Sequence, residues 1–155
     1  MKYHIDSVVM AEQSLLGALM QEPEKLVEVK ATVDAEDFYD ERNKDIYSAI
    51  LRLDEMEIIP DTTTIFEEIN NSGAFRNVDA SLYIVDLYDI TPSSRNIMHY
   101  ANLVKRYSIY REIRAALLSS TEEMNQGNAD IDSLTATLFD QVERAMERAK
   151  TSQFK

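Results

Sequence analysis

The densest group of potential metal ligands is the carboxylate-rich run of residues 34–40. A calcium loop of the EF-hand type needs alternating oxygen ligands, a glycine at its sixth position and a glutamate at its twelfth. Here Phe38 and Tyr39 occupy the fifth and sixth positions, so the pattern fails. A second alternating run, residues 128–132, lacks both the glycine and the glutamate. We interpret both runs as helix-capping and turn carboxylates.

Other catalytic or metal-binding combinations are equally poor. His4 and His99 are the only histidines and there is no cysteine, so neither a zinc site nor a histidine-based triad is predicted. The adjacent glutamates at 67–68 and 122–123 diverge on a helix and cannot share a proton. The three glycines form neither GxxxxGK[ST] nor GxGxxG. The residues therefore predict no enzyme activity, cofactor or metal in this chain.

One stretch alternates basic and aromatic residues, as nucleic-acid-binding surfaces do. It consists of Lys105, Arg106, Arg111 and Arg114, interleaved with Tyr107 and Tyr110. Tyrosines at helical spacing are more typical of packed interfaces, and the arginines could pair with carboxylates of a neighbouring subunit. We therefore predict little direct DNA binding by this chain.

The net charge of −12 is concentrated in the first two thirds of the chain. Residues 1–100 carry eight Lys/Arg against 20 Asp/Glu, whereas residues 101–155 carry eight of each. Such a surface repels a phosphate backbone, so it serves solubility or the docking of a basic partner. No apolar run approaches the ~20 residues of a membrane span, and no signal sequence is visible. We expect no membrane association and a cytoplasmic location.

Helical periodicity predicts an all-α fold: a globular bundle of about six helices followed by an antiparallel helical hairpin. Capping residues predict helix starts at Ser7, Asp40, Asp61, Asp79, Ser93 or Ser94, and Asp132. Gly17, inside the first helix, predicts close approach by another helix. We divide the chain into a helical body (1–95), a hairpin (96–150) and an unstructured start of a linker (151–155).

The predicted long helix 94–126 is apolar on more than one face, so it must contact two partners. A two-helix hairpin cannot bury both faces alone, and self-association is the economical explanation. The predicted self-association residues are Tyr100, Leu103, Tyr107, Tyr110, Leu134, Leu138 and Val142. Near the hairpin tip, Leu117, Met124 and Ile131 could form a docking patch with an acidic rim. Alternatively, Met124 and Ile131 close the tip.

Four segments occur in a characteristic order. They are Ala-Glu-Gln-Ser-Leu-Leu-Gly at 11–17, Asp-Phe-Tyr at 37–39 followed by the helix 42–50, Asp-Thr-Thr-Thr-Ile at 61–65, and Thr-Pro-Ser-Ser-Arg-Asn-Ile at 91–97 with Tyr100-Ala101 and Val104. With these four segments in this order, residues 7–149 of the chain resemble the amino-terminal domain of the DnaB-type replicative DNA helicases of bacteria and their phages. Residues 70–79 lack the double-glycine turn of cellular members, which suggests a phage- or plasmid-encoded relative.

The resemblance implies a collar domain of a hexameric ring, in which such domains pair as dimers or as a trimer of dimers. It implies docking of primase or a helicase loader, with ATP and magnesium confined to a following RecA-like motor domain. Two alternatives stay open. One is a free-standing helicase regulator or adaptor with the same fold. The other is a helical regulator whose acidic face imitates DNA, which the scatter of the acidic residues disfavours.

Overall fold

A computed structural model describes residues 3–75, 79–127 and 129–153. Over these ranges the chain consists of helices and short 3-10 turns, without a strand. The helices are α1 (Ile5–Gln21), α2 (Leu26–Lys30), α3 (Glu41–Glu55), α4 (Thr62–Ser72), α5 (Ala80–Ile90), α6 (Ile97–Asn125) and α7 (Ile131–Gln153). The predicted all-α class, a helical bundle followed by a two-helix hairpin, is confirmed.

The chain packs as two compact units, Met1–Val104 and Lys105–Lys155. The first contains α1 to α5 and the first two turns of α6. The second contains the rest of α6 and all of α7. α7 continues through Gln153, beyond the residue at which we predicted the linker to begin. Residues 154 and 155 of that predicted linker lie outside the described residues.

Four of the predicted caps are confirmed. Asp40, Asp61 and Asp79 accept backbone N–H bonds at the starts of α3, α4 and α5. Ser93 does the same for the 3-10 turn that leads into α6. These oxygens satisfy amides that have no partner inside the helix, which is why short polar residues fix the helix starts.

Two predicted helix starts are wrong. α1 begins at Ile5, before Ser7, with His4 at its N-cap and no side-chain cap. α7 begins at Ile131, because Asp130 takes the capping position instead of Asp132. Its carboxylate accepts from the amide of Ser133 at 3.3 Å. An N-cap carboxylate reaches the amide two or three residues further on, and the earlier aspartate already meets that requirement.

α1 is the central helix of the first unit and packs against α3 and α5, while α4 packs against α3 and α5. The apolar faces of these helices form one continuous core. Its fully buried large side chains include Leu15, Leu16, Leu19, Tyr47, Ile50, Ile65, Ile69, Ile84 and Leu87. Within it, the Tyr47 hydroxyl donates to the Val33 carbonyl at 2.7 Å, so the buried polar atom has a partner.

At Gly17, α1 lies very close to the end of α5. A methyl group at this position would overlap the Thr91 side chain and the Leu87 carbonyl oxygen. The predicted close helix approach is therefore confirmed, and the lack of a side chain at residue 17 is what permits it.

Candidate functional site

A buried carboxylate organises the first unit. Glu12, on α1, is fully buried. It accepts hydrogen bonds from the backbone amides of Tyr39 and Asp40, the latter at 3.2 Å. The side-chain amide of Asn43 also donates to it, at 3.0 Å. A buried carboxylate needs such donors, and all three come from the turn before α3 and its first residues.

The same polar cluster extends to α5. The Tyr83 hydroxyl receives a hydrogen bond from the Gln13 side-chain amide at 3.2 Å and donates to the Asn43 side-chain oxygen Oδ1 at 2.7 Å. The Arg42 guanidinium lies 4.5 Å from the centre of the Tyr83 ring. Burial raises the pKa of the Tyr83 hydroxyl, which keeps it a hydrogen-bond donor. Because each of these groups is engaged with another helix, the cluster positions α1, α3 and α5.

This cluster gives the segment 11–17 a physical role. Glu12 binds the turn before α3, Gln13 binds α5, and Gly17 admits α5 at short distance. These contacts of Glu12 and Gln13 were not predicted from the sequence. The available signal was the polar Glu-Gln pair embedded among the apolar residues of a core helix.

The acidic run 34–40 forms turns and caps, as predicted. Asp34 and Asp37 make a reciprocal capping box around a 3-10 turn. Asp40 caps α3 and forms an ion pair with Arg42 at 2.7 Å. The hydrogen bond from that guanidinium is the largest cause that lowers the pKa of Asp40. Within the described part of the chain, no group of three His, Cys, Asp or Glu residues could hold a metal ion.

The second unit is an antiparallel hairpin. Arg148, late in α7, pairs with Glu112 in the middle of α6, and it donates to the Ser108 hydroxyl at 3.0 Å. Small buried side chains, Ala116 and Ala145, lie on these two helices. Small residues let helix backbones approach closely, but they bury little apolar area.

The hairpin therefore exposes an unusual number of large apolar side chains. Among the predicted docking residues, Leu117 is 52% exposed, Met124 63% and Ile131 75%. Met124 and Ile131 do not close the tip as a covered cap. Further exposed residues are Ile113, Leu118, Phe139 and Met146. Large exposed apolar side chains concentrated on two helices favour an interaction site when they lie together on the surface.

α7 also carries an open apolar groove of about 360 Å³. It is lined by Leu134, Thr135, Leu138, Phe139 and Val142. Three of the residues predicted for self-association are thus brought together on one face of α7. Phe139 was not predicted from the sequence, although its spacing of three residues from Val142 was a usable signal.

The predicted self-association residues of α6 are divided. Tyr110 is 42% exposed, whereas Tyr107 is only 6% exposed and offers little surface to another chain. Tyr100 and Leu103 are half-buried in the first unit.

The alternating basic and aromatic stretch is only partly exposed. Lys105 and Tyr107 are buried, while Arg106 and Arg114 are exposed. Tyr110 is also exposed and lies four residues from each of these arginines, so the three side chains share one face of α6. Among the described helices, none is long and apolar enough to cross a membrane.

The fold defines the chain as an all-α domain of two helical units. A family model described as the DnaB-like helicase N terminal domain matches residues 6–106. The chain belongs to this family, and the resemblance seen in its four sequence segments is confirmed.

Similar proteins agree with this assignment. The chain is 26% identical over 144 residues to the replicative DNA helicase DnaC of Bacillus subtilis (strain 168), covering 93% of this chain and 32% of that protein. Identity to the replicative DNA helicase DnaB of Rhodothermus marinus is 30% over 107 residues, which cover 69% of this chain and 11% of that protein. The chain thus spans a third or less of the length of these relatives.

A solved structure shows the same fold. The crystal structure of the N-terminal domain of DnaB helicase from Mycobacterium tuberculosis matches with a TM-score of 0.74 and 24% identity. The match covers 90% of this chain and 94% of that one.

Proposed function

We propose that this domain acts as the collar of a hexameric replicative helicase, where it supports ring assembly and docks a primase or helicase loader in the cytoplasm. Family membership supports the replicative context. The observation that carries the proposal is the apolar surface of α6 and α7, which the chain leaves exposed. In this proposal ATP and magnesium act in a motor domain outside the 155 residues, and the collar contributes little to DNA binding.

Self-association is the first part of the proposal. The α7 groove formed by Leu134, Leu138, Phe139 and Val142 is suited to a second copy, because its lining is almost wholly apolar. A dimer, or a trimer of dimers within a hexamer, would cover it. Tyr110 adds exposed aromatic surface on α6.

Sedimentation velocity tests this part. We expect the wild-type chain to sediment as a dimer or larger assembly, and Phe139→Ser to shift it towards monomer. The matched control is Met10→Ser, because Met10 is 66% exposed on α1 and Phe139 is 68% exposed on α7. A wild type that stays monomeric at high concentration would exclude self-association through the groove.

Docking of a primase or loader is the second part. Leu117, Met124 and Ile131 combine exposed apolar side chains with nearby carboxylates at Glu122, Glu123 and Asp130. Interfaces commonly combine an apolar centre with a polar rim, so this patch favours a partner with a basic rim.

A pull-down with the purified primase and loader of the same genome tests the docking patch. We expect Met124→Ser with Ile131→Ser to weaken capture while helicity and assembly stay unchanged. Leu82→Ser with Ile90→Ser, two similarly exposed apolar residues of α5, is the control. Equal capture by both double variants would place the docking site elsewhere.

A free-standing helicase regulator with the same fold is the alternative. The two proposals differ in whether the reading frame continues into a GxxxxGK[ST] motif, which sequencing the gene decides. Under both, the purified chain is expected to lack ATPase and unwinding activity.

A further inference from the structure

The first unit carries a second apolar groove, well separated in sequence from α6 and α7. It occupies about 460 Å³ and lies between the segment that leads into α2 and the link that follows α3. Its lining residues are Pro23, Glu24, Leu26, Asp54, Glu57, Ile58, Ile59 and Pro60. Of these residues, Leu26 also belongs to the buried core, and none belongs to the Glu12 cluster.

The backbone fixes one wall of this groove. α3 ends in a Schellman motif, in which the amide of Glu57 donates to the Asp54 carbonyl at 3.0 Å and that of Ile58 to the Leu53 carbonyl at 2.9 Å. Glu57 takes a left-handed conformation with φ of 58°. Both hydrogen bonds tie the link to α3, so the wall is preformed.

The side chains of this wall remain accessible although they are strongly apolar. Ile59 is 72% exposed and Ile58 is 40% exposed, whereas Leu26 is 3% exposed. Pro60, which is also buried, completes the groove. Leu26 and Pro60 therefore form a covered floor, and the two isoleucines form a rim that a ligand could bury.

The surrounding charge is negative. Glu24 and Glu57 are exposed at the edge of the groove. The nearby lysines are already engaged, since Lys30 pairs with Asp54 at 2.7 Å and Lys25 with Glu28 at 3.1 Å. A ligand that enters the groove therefore meets carboxylates whose charge the neighbouring lysines only partly offset.

We propose that this groove docks a basic amphipathic segment of a partner protein. Apolar side chains of the segment would pack on Ile58 and Ile59, and its Lys or Arg side chains would lie opposite Glu24 and Glu57. Charge complementarity selects this occupant. A nucleic acid is disfavoured because its phosphates would face carboxylates. A second copy of the first unit is disfavoured because residues 1–100 carry eight basic against 20 acidic residues. This site is additional to the hairpin surface and does not depend on it.

Fluorescence anisotropy with a labelled synthetic helix of leucine and lysine tests the site, with a leucine–glutamate helix as the charge control. We expect the lysine peptide to bind and the glutamate peptide not to bind. Ile59→Ser should weaken binding by about tenfold, as loss of an apolar interface contact does. The separate double variant Glu24→Gln with Glu57→Gln should also weaken binding of the lysine peptide. It should make the affinity less sensitive to salt than in the wild type.

Leu82→Ser is the matched control, because Leu82 is 60% exposed and does not line the groove. It should leave the affinity unchanged. Amide chemical shifts in the wild type should move at residues 24–26 and 57–59, because Pro23 and Pro60 carry no amide proton.

Three outcomes would overturn the proposal. The first is equal binding of the lysine peptide to wild type and Ile59→Ser. The second is a shift map confined to α6 and α7, which would assign the peptide to the hairpin. The third is a loss of self-association in Ile59→Ser by sedimentation, which would identify a second copy as the occupant.

Discussion

The carboxylate of Glu12 and the side-chain amide of Asn43 meet at 3.0 Å inside a fully buried environment. Glu12 belongs to α1 and Asn43 to α3, so this contact joins two helices through residues that lie 31 positions apart in the chain. Because Asn43 also receives a bond from Tyr83 of α5, the polar contact joins three helices of the core.

Replacing Glu12 by leucine should destabilise the fold strongly. The change keeps the approximate volume but removes the Glu12 carboxylate as acceptor for the buried Asn43 side-chain amide and for the part-buried backbone amides of Tyr39 and Asp40. At 1–3 kcal/mol for each orphaned group, the free energy of unfolding should fall by about 3 kcal/mol or more. Urea denaturation measures this. Glu67→Leu, on the exposed face of α4, should change it by less than about 0.5 kcal/mol. Similar values for the two variants would refute the structural role of Glu12.

Gly17→Ala should destabilise the contact between α1 and α5. The added methyl group would overlap Thr91 and the Leu87 carbonyl oxygen. Overpacking of this kind should lower the free energy of unfolding by about 2 kcal/mol. Thr91→Ala should restore only part of the loss, because the Leu87 carbonyl remains. Complete restoration in a double-mutant cycle would show that Thr91 alone sets the helix spacing.

Glu57→Gly should stabilise the chain. The left-handed conformation of Glu57 costs free energy for a residue with a side chain, whereas glycine adopts it without that cost. We expect a gain of about 1 kcal/mol in thermal unfolding. The same change two residues earlier, Glu55→Gly, lies within α3 and should cost about 1 kcal/mol. Changes of the same sign would contradict the assigned end of α3.

Protonation of Asp40 should weaken the start of α3. Its pKa is lowered in the folded chain, first by the hydrogen bond from Arg42. A lowered folded pKa means that the contribution is present above the unfolded value of about 3.9 and is lost as the pH falls through the folded value. Asp40→Asn retains a capping oxygen but does not titrate. Its stability should therefore decline less steeply than that of the wild type below about pH 4. Parallel pH profiles would show that this carboxylate is not coupled to folding.

The sequence determined the helical class and most helix starts, because these depend on local spacing and on capping side chains. Asp40, Asp61, Asp79 and Ser93 act within a few residues of their own positions, so no distant contact was needed to predict them. The cap of α7 was predicted at Asp132 instead of Asp130, because local sequence does not distinguish the two aspartates. Asp130 and Asp132 are equally good local candidates, and the geometry selects the earlier one.

Only the tertiary structure revealed which side chains are buried together. Nothing local identifies Glu12 as the acceptor of donors that lie 27 to 31 residues away. Likewise, Tyr107 and Tyr110 look alike in the helical pattern, yet one is buried and the other exposed. Local spacing sets which residues share a helix face, whereas burial depends on what that face meets. The sequence therefore determined the helices and the family, and the packing decided which apolar residues remain on the surface.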